Sequence, residues 1–506
     1  MSKKNNLNNP QLDSPILETD TTHPADEAVL NDDALLEKNV ENESIIADER
    51  ELDNVAPEEA EAIEAAAEES ESVEKIVEAN NSEPSEPQTK KGGVRDNLDS
   101  AEVLLKVEHL SQYFRMGTRY LKAVNDVSFE IKRGEVFGLV GESGCGKTTT
   151  GRTIIKLYDA TGGNVYFGGR RIVAGTLEYK TKISDARKAC LATLKKQPDG
   201  TEKSSFGDAF KHYLEVRKEQ RPFIRSARHD QKRCDKDYAK EQVAKVKEDY
   251  KPLFEEAKGT PEYKKLVFKF VKDVLYAKKA RLVTKIQMVF QDPIASLDPR
   301  MTVREIIAEG LRIRGVRDKK VINEKVYEVL EKVGLVREHA NRYPHEFSGG
   351  QRQRIGVARA MIMQPEVIIA DEPVSALDVS IQAQVINLLN DLREEMNLTV
   401  LFIAHDLSVV KYFSDRIAVM YFGNMVELAT SDELFAHPLH PYTRSLLSAI
   451  PLPDPVYEKK RQRITYRPVV DHDYSQDKPS FREVSPGHWV SCNDAEFAKY
   501  QEEIKK

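Results

Sequence analysis

The sequence has few cysteines and no long apolar run, and both absences narrow the kinds of protein it can encode. Its 506 residues include four cysteines and no CxxC pair, which argues against a disulfide framework or zinc site and favours a reducing compartment. The longest apolar runs, VIIA and VLFIA, have the length of a strand, whereas a membrane-spanning helix needs about 20 residues. The first residues have no apolar core, so no secretory signal is predicted. We therefore expect any membrane role to be peripheral or to depend on partner proteins.

Aromatic residues are missing from the first part of the chain, and acidic residues dominate there. Residues 1–100 carry 27 acidic and 8 basic residues, and the first aromatic side chain is Tyr113. Such a segment cannot bury enough apolar area to offset its chain entropy. We therefore predict an acidic disordered tail over 1–98.

Residues 177–281, called here the basic segment, have the opposite charge, with 28 basic and 17 acidic residues. Apolar residues recur at helical spacing, so we predict a basic helical insertion. The stretch PEYKKLVFKFVKDVLYAKKA is an amphipathic basic helix that could lie on a membrane surface or pack within its own helical bundle. We favour the bundle.

The rest of the chain alternates between strand and helix patterns. FGLV and VIIAD are short buried strands, and VLFIAHD is another that follows a helical stretch. GGNVYFGGRRI reads as a glycine-bounded hairpin. This order predicts an α/β fold with a mostly parallel sheet covered by helices.

The stretch GESGCGKT, residues 141–148, fits the pattern GxxxxGK[ST] of a phosphate-binding loop. Its glycines let backbone N–H groups wrap the phosphates, and the following helix N-terminus adds its positive dipole. Lys147 would reach the β- and γ-phosphates, and the Thr148 hydroxyl would bind Mg²⁺. The predicted ATP-binding residues of this loop are Gly141, Ser143, Gly144, Cys145, Gly146, Lys147, Thr148 and Thr149.

Cys145 within this loop has two interpretations. The helix terminus could lower the pKa of its thiol and make it reactive, or the residue is only small enough to fit between backbone donors. We favour the second interpretation.

Polar residues follow three other predicted strands. Asp371 and Glu372 end VIIADE, where the first would hold Mg²⁺ and the second would polarise the attacking water. His405, in FIAHD, would contact the γ-phosphate and that water. Gln291, in MVFQD, would ligate Mg²⁺. The predicted catalytic residues are thus Glu372, His405 and Lys147, and the predicted metal ligands are Thr148, Gln291 and Asp371.

A second glycine turn, EFSGGQRQR, occupies residues 346–354. One ATP needs only one phosphate cradle, so this turn is best explained if it serves a different ATP. Two such proteins arranged head to tail would each offer Ser348, Gly349 and Gly350 to the partner's γ-phosphate. Closure of this pair of proteins would then depend on bound ATP, and hydrolysis of the ATP would release the closed state.

These motifs resemble the ABC transporter ATPase family. The matching stretches, in the family's order, are GESGCGKT, the Gln291 loop, FSGGQRQR, VIIADE, SALD and FIAHD. Phe347 stands where the family usually has Leu. The resemblance implies a P-loop NTPase with a RecA-like core, an antiparallel β subdomain and a helical subdomain that carries FSGGQ. It adds Gln351 and Asp378 to the ATP contacts, and it implies an aromatic residue against adenine, for which we choose Phe114 over Tyr113 and Tyr120.

The subfamily is narrowed by FQDPIASLDPRMTV, HPLHPYTRSLLSAIP and SPGHWVSC, which resemble ATP-binding subunits of oligopeptide and dipeptide importers. This resemblance implies a nucleotide-binding domain over 103–440 and a C-terminal extension over 441–506. It also implies two transmembrane permease subunits, a second related ATPase and an extracytoplasmic substrate-binding protein as partners, at the cytoplasmic side of the cell membrane. The extension of such subunits often carries four cysteines for an iron–sulfur cluster. Only Cys492 matches, so no cluster is expected.

Two other classes of function compete with peptide import. A soluble ABC ATPase acting on nucleic acid or the ribosome is supported only by the basic segment, which lacks clear aromatic stacking motifs, so we expect no nucleic-acid partner. A catalytically inactive scaffold is disfavoured because Lys147, Glu372 and His405 are all present.

Overall fold

The computed structural model describes residues 101–117, 119–195, 203–258, 260–375, 377–450, 463–474 and 477–505. The acidic tail predicted over 1–98 lies outside these ranges. The strands within them are β1 (Val103–Met116), β2 (Arg119–Lys132), β3 (Val136–Val140), β4 (Gly162–Phe167), β5 (Arg170–Ala174), β6 (Ile286–Val289), β7 (Val367–Asp371), β8 (Thr399–Ala404), β9 (Arg416–Tyr421), β10 (Asn424–Thr430), β11 (Ser480–Ser485) and β12 (His488–Cys492).

The helices of the same ranges are α1 (Lys147–Ile154), α2 (Leu177–Lys195), α3 (Lys203–Glu256), α4 (Tyr263–Ala277), α5 (Pro293–Ser296), α6 (Val303–Arg314), α7 (Lys319–Lys332), α8 (Gly349–Met361), α9 (Val379–Met396), α10 (Leu407–Phe413), α11 (Ser431–Ala436), α12 (Pro441–Ser448), α13 (Pro468–Asp471) and α14 (Asp494–Ile504). Three 3₁₀ turns cover Leu282–Lys285, Arg337–Asn341 and Pro344–Glu346. None of the helices in the described part of the chain is long and apolar enough to cross a membrane.

The larger sheet has eight strands in the order β11-β12-β10-β9-β3-β8-β7-β6. From β9 to β6 all neighbours are parallel, and β10, β12 and β11 are added in antiparallel pairing. Every residue of β3, β7 and β8 is buried, as expected for apolar strands covered on both faces. The prediction of an α/β fold with a mostly parallel sheet is confirmed. The parallel strands point their carboxyl ends to one edge, which carries the P-loop, Gln291, Asp371, Glu372 and His405.

The smaller sheet is antiparallel, with the order β2-β1-β4-β5. The hairpin predicted at GGNVYFGGRRI is present as β4 and β5. This sheet packs on the larger one, where Phe129 of β2 stacks on Phe137 of β3 with ring centroids 4.9 Å apart. The Asn125 N–H also donates to the Gly423 carbonyl oxygen at 2.8 Å, so the small sheet is attached beside the glycine-rich loop that follows β3.

Helices α6, α7 and α8 form a layer around Ile307, Leu330 and Ile355, which belong to the same apolar core as one face of the larger sheet. Thr302 begins α6 in a capping box, because its hydroxyl accepts from the Glu305 N–H while the Glu305 carboxylate accepts from the Thr302 N–H. The turn FSGGQ leads into α8 and is therefore carried by this helical layer.

The basic segment contains α2, α3 and α4. Its longest helix, α3, packs on β5, where the Asp230 carboxylate accepts from the Arg171 guanidinium and Gln231 Oε1 accepts from the Ala174 N–H at 3.1 Å. One face of α4 packs on α3, with Phe270 against Phe254 at 5.3 Å between ring centroids. The apolar stripe of α4 thus has a partner within the segment, as the bundle interpretation expects.

The C-terminal part of the chain extends the larger sheet. β12 pairs with β10, through Glu427 opposite Val490 and Leu428 opposite Trp489. The domain boundary expected at residue 440 therefore does not coincide with the end of the sheet. The reason lies in HWVSC, in which alternate residues (His488, Val490 and Cys492) are buried, the period of a half-buried strand.

Candidate nucleotide-binding site

At two positions of the loop after β3, glycine is the only residue that fits. Gly141 has φ 147°, and a Cβ there would lie 2.2 Å from the Met420 carbonyl oxygen. Gly146 has φ 110°, and its Cβ would lie 2.2 Å from the Ala123 carbonyl oxygen. The backbone is thus packed tightly against its supports, and α1 begins at once with Lys147. This is the strand–turn–helix context in which backbone N–H groups and a helix dipole bind phosphate.

Lys147 lies inside the loop. Its Nζ donates to the carbonyl oxygens of Gly141 at 2.7 Å and Glu142 at 3.0 Å, and it lies 3.8 Å from Glu372 Oε1. Its neighbour Cys145 is buried, and burial raises the pKa of the Cys145 thiol. A raised thiol pKa supports the interpretation of Cys145 as a small residue that fits the loop.

Thr148 and Asp371 form the part of the site that fits a divalent cation. Thr148 Oγ1 donates to Asp371 Oδ1 at 2.7 Å. Asp371 is fully buried, and its other oxygen, Oδ2, has no hydrogen-bond partner among the described residues. Burial raises the pKa of this carboxyl group, a cost that a bound cation would offset. A hydroxyl beside a carboxylate with a free oxygen is a donor set that Mg²⁺ prefers.

Glu372 stands at the centre of three strand ends. Its Oε2 accepts from Gln291 Nε2 at 2.9 Å and lies 3.2 Å from His405 Nδ1. Its backbone has φ 44°, a conformation that non-glycine residues seldom adopt and that clusters at active sites. The Glu372 N–H donates to the Ile403 carbonyl oxygen of β8 at 2.9 Å, which fixes that conformation. The residues predicted after β6, β7 and β8 are thus in direct contact.

The turn FSGGQ lies at the exposed beginning of α8. Ser348 and Gln351 form a capping box, with the Gln351 N–H 3.3 Å from Ser348 Oγ and the Ser348 N–H 3.1 Å from Gln351 Oε1. Ser348 and Gly349 are exposed, whereas Gly350 is buried and a Cβ there would lie 2.4 Å from Ile381 Cγ2. Among the described residues, no hydrogen bond joins 348–351 to 141–149. Within one chain, the two glycine turns are not brought together by direct bonds.

Other predicted contacts lie at the edges of the site. Asp378 precedes α9, is exposed and makes no capping bond, and Ser143 is exposed in the loop. Phe114 is half-buried and packs edge-on against Tyr158, with ring centroids 5.3 Å apart. The Tyr113 hydroxyl donates to Asn125 Oδ1 at 2.6 Å, and Tyr120 is largely exposed. The choice of Phe114 as the adenine-stacking residue remains a prediction.

Sequence reasoning missed two supports of the loop. The Glu142 N–H donates to Tyr442 Oη at 3.0 Å, and the Gly423 N–H donates to the Cys145 carbonyl oxygen at 2.9 Å. In the sequence, the stretch HPLHPYTR, which contains Tyr442, indicates only a resemblance to peptide importers. No spacing rule could place that tyrosine beside a loop 300 positions earlier in the chain.

Comparisons with known proteins agree with this geometry. A model of the family "ABC transporter" matches residues 124–252 and 253–375, the region that holds the P-loop and most of the other site residues. A second model, "Oligopeptide/dipeptide transporter, C-terminal region", matches residues 426–476.

Three curated relatives match most of this chain. The oligopeptide transport ATP-binding protein OppF of Bacillus subtilis is 46% identical over 400 residues, which cover 79% of this chain and 99% of OppF. AmiF of Streptococcus pneumoniae, also an oligopeptide transport ATP-binding protein, is 41% identical over 79% of this chain and 98% of its own length. The dipeptide transport ATP-binding protein DppF of Lactococcus lactis is 39% identical over 79% of this chain and 96% of its own length.

Proposed function

The chain belongs to the ABC transporter family, among the ATP-binding proteins of oligopeptide and dipeptide transport, and we propose that it binds and hydrolyses ATP to drive peptide import. The observation that carries this proposal is the cluster at the sheet edge. Glu372, Gln291 and His405 meet beside Lys147 and the Thr148–Asp371 pair. The lysine for the phosphates, the hydroxyl–carboxylate pair for a cation and the carboxylate for the attacking water thus lie at one place.

Each residue of the cluster has a role that follows from its position. Glu372 orients and polarises the attacking water, and His405, which shares its carboxylate oxygen, holds Glu372 and that water in place. Lys147 exchanges its bonds with loop carbonyls for bonds to the phosphates. Thr148 and Asp371 would hold Mg²⁺, which when bound neutralises the charge that develops on the phosphate oxygens.

The second glycine turn supports hydrolysis in a pair of ATPases. Ser348 and Gly349 are exposed at the N-terminus of α8, a 13-residue helix whose dipole favours a phosphate. We propose that this turn completes the site of a second, related ATPase subunit, while a matching turn of that subunit completes the P-loop site of this chain. Asp378 and Gln351 would lie at the same interface.

Two permease subunits and an extracytoplasmic substrate-binding protein complete the proposed importer, which places this chain at the cytoplasmic side of the cell membrane. A cavity of about 500 Å³ lies between α3, the end of β6 and α8, with Gln231, Phe290 and Gln353 in its wall. Because Phe290 precedes Gln291, a permease segment in this cavity would sense the position of the Gln291 loop. We therefore propose that the movement of the permease is coupled to the ATP site through the end of β6.

Import is favoured over a role on nucleic acid or the ribosome. The C-terminal region, not only the ATPase core, matches transport proteins, and the face of α4 that carries Phe270 packs on α3.

Reconstitution tests this function. The chain should be incorporated with its permease, partner ATPase and binding protein into proteoliposomes, and uptake of a labelled oligopeptide should be measured. We expect ATP-dependent uptake with the wild-type chain and none with Lys147→Ala. Uptake that persists at the wild-type rate in the variant, or ATP hydrolysis that never responds to peptide, would refute the proposed function.

A further inference from the structure

The first turn of the P-loop is held by a tyrosine from the C-terminal part of the chain. The Glu142 N–H donates to Tyr442 Oη at 3.0 Å. Tyr442 is 2% exposed, and burial raises the pKa of its phenol far above the ordinary value, so the hydroxyl remains protonated. From the other side, the Lys147 ammonium binds the carbonyl oxygens of Gly141 and Glu142. The start of the loop is therefore held from two directions.

Tyr442 is itself held in a fixed position. His440 Nδ1 accepts from the Tyr442 N–H at 3.1 Å, and the His440 N–H donates to Glu427 Oε2 at 3.1 Å. Glu427 is fully buried on β10. The Tyr442 ring packs against Tyr421, with ring centroids 4.5 Å apart. Because Tyr421 ends β9, the neighbour of β3, the hydroxyl has a fixed position relative to the P-loop strand.

We propose that Tyr442 is a positioning residue for nucleotide binding. It acts through the Glu142 peptide, whose orientation sets the direction of the N–H groups that follow it in the phosphate cradle. The stretch His440-Pro441-Tyr442 then has a physical role: His440 orients the tyrosine, Pro441 begins α12, and Tyr442 reaches the loop. This inference rests on the proposed ATPase function and adds a link between the C-terminal region and the ATP site.

Tyr442→Phe tests the link, because it keeps the ring and removes only the hydroxyl. The matched control is Tyr466→Phe, which removes a hydroxyl from the same aromatic cluster that makes no hydrogen bond to residues 141–148 in the described structure. In the full chain we expect the Kd for ATP to rise about 3- to 10-fold in Tyr442→Phe, the effect of one lost hydrogen bond. In the assembled complex the KM for ATP should rise by the same factor, with kcat changed less than twofold.

Hydrogen–deuterium exchange provides a second measurement, since the Glu142 amide should exchange faster in Tyr442→Phe than in Tyr466→Phe. Equal Kd and equal exchange in Tyr442→Phe and wild type would overturn the proposal, as would the same change in both variants. A wild-type chain that binds no ATP would instead sink the proposed function, so the two failures are distinguishable.

The outer face of α4 carries a second, independent observation. Phe268, Val271 and Leu275 are 76%, 49% and 55% exposed, although the opposite face of the helix packs on α3. Lys264 and Lys272 lie four positions before and after Phe268, so they share its face. The only acidic residue within α4 is Asp273, which binds the Tyr250 hydroxyl against α3.

This surface continues beyond the helix. Lys272 and Leu275 line the same shallow cavity as Arg314 and Arg317, at the end of α6. Ile313 nearby is 61% exposed. One carboxylate, Asp318, also lines this cavity, where its Oδ1 accepts from the Lys320 N–H. Exposed apolar side chains among an excess of cations match a membrane surface with anionic headgroups over an apolar interior.

We infer that the outer face of α4 docks on an anionic lipid surface. The test is co-sedimentation of the full chain with vesicles of phosphatidylcholine alone or mixed with phosphatidylglycerol. The double variant Phe268→Ser/Leu275→Ser removes two of the three exposed apolar side chains of the outer face, and Tyr412→Ser, at a side chain 80% exposed on α10, is the matched control. We expect wild type and control to bind only the anionic vesicles, more weakly at high salt, and the double variant to bind about tenfold less.

Four results would overturn the lipid inference. Wild type could show no preference for anionic vesicles, or the double variant could bind them as wild type does. Vesicle binding that appears only after removal of residues 1–98 would show that the acidic tail, and not lipid, binds the lysines of the outer face of α4. Unchanged vesicle binding combined with poorer recovery of the permease in detergent would identify a protein-docking face.

Discussion

Glu372 is the residue on which the proposed hydrolysis depends most directly. Its carboxylate touches both Gln291 and His405, and its backbone is held in an unusual conformation by a bond to β8. Glu372→Gln keeps the size of the side chain and one acceptor oxygen but cannot activate water. We expect ATP to remain bound while hydrolysis in the assembled complex slows by a factor of about 100 or more.

The control for this substitution is Glu395→Gln, an exposed glutamate that pairs with Lys332 away from the site. ATP hydrolysis and retention of labelled ATP should be measured on all three proteins. Near-normal turnover in Glu372→Gln would refute its assignment as the catalytic carboxylate.

His440 predicts a pH dependence of stability. Burial, reinforced by His472 and Arg444, lowers the pKa of His440 to about 3. In the unfolded chain the pKa returns to about 6.5, so the unfolded state takes up a proton that the folded state refuses. Above about pH 6.5, His440 therefore has no pH-dependent effect on the free energy of unfolding. As the pH falls from there towards 3, this free energy decreases by about 1.4 kcal/mol per pH unit.

His440→Asn isolates this effect, because asparagine is a good helix N-cap and does not titrate. Urea unfolding of both proteins should be measured at about pH 7.5 and about pH 5.5. Relative to the variant, the wild type should lose about 1 kcal/mol of unfolding free energy at the lower pH. A difference between the two proteins that is the same at both pH values would contradict the assignment of a neutral, buried His440.

At the scale of elements, the site could be predicted where an apolar run is followed directly by a polar residue. β7 before Asp371 and β8 before His405 have this form, and parallel strands bring their ends to one edge. The addition of β12 to β10 could not be predicted, because register between distant strands leaves no local signal. The sequence also could not predict that α3 is a single helix, because it continues through Pro222 and Pro252. Proline usually interrupts a helix. Tertiary packing decides such cases.

The basic segment is an element whose removal has a definite expected outcome. α3 covers β5 through Asp230 and Gln231, and Cys234 Sγ lies 3.9 Å from the Ile172 carbonyl oxygen. Replacing 180–280 by a short Gly/Ser bridge should therefore lower the melting temperature by several degrees. Each lost hydrogen bond costs about 1 kcal/mol of unfolding free energy, and the lost apolar contacts add to this cost. The P-loop and its supports are untouched, so ATP binding and basal hydrolysis should persist.

A smaller deletion serves as the control for this experiment. Removing 190–212 takes away the end of α2 and the start of α3 but leaves the contacts of Asp230 and Gln231 with β5 in place, so the melting temperature should fall less than in the 180–280 deletion. Loss of nucleotide binding in a folded 180–280 deletion would show that the basic segment is part of the catalytic unit.

At the scale of the whole molecule, the proposed paired arrangement would make one chain alone an incomplete ATPase. The P-loop lies at the carboxyl edge of the sheet, whereas Ser348 caps α8 in the helical layer, with both turns exposed in part. The motifs were predictable because each is local in sequence. That each turn is completed by another chain stays a prediction, and it is supported by the lack of any hydrogen bond between 348–351 and 141–149 among the described residues.

Ser348→Arg tests the head-to-tail arrangement. In a complex with the related ATPase, the arginine should block the γ-phosphate of the ATP bound by the partner, since Ser348 begins α8 with its side chain exposed. We expect hydrolysis at the partner's P-loop to be lost and ATP binding at this chain's own P-loop to be kept. Crosslinking of a photoreactive ATP to each subunit separates the two sites. The substitution also removes a helix cap worth about 1 kcal/mol, so Thr302→Ala, which removes the capping hydroxyl of α6, controls for stability. Loss of ATP binding at this chain's own P-loop with the partner's site unaffected would show that the two turns serve one nucleotide within one chain, and the paired arrangement would be wrong.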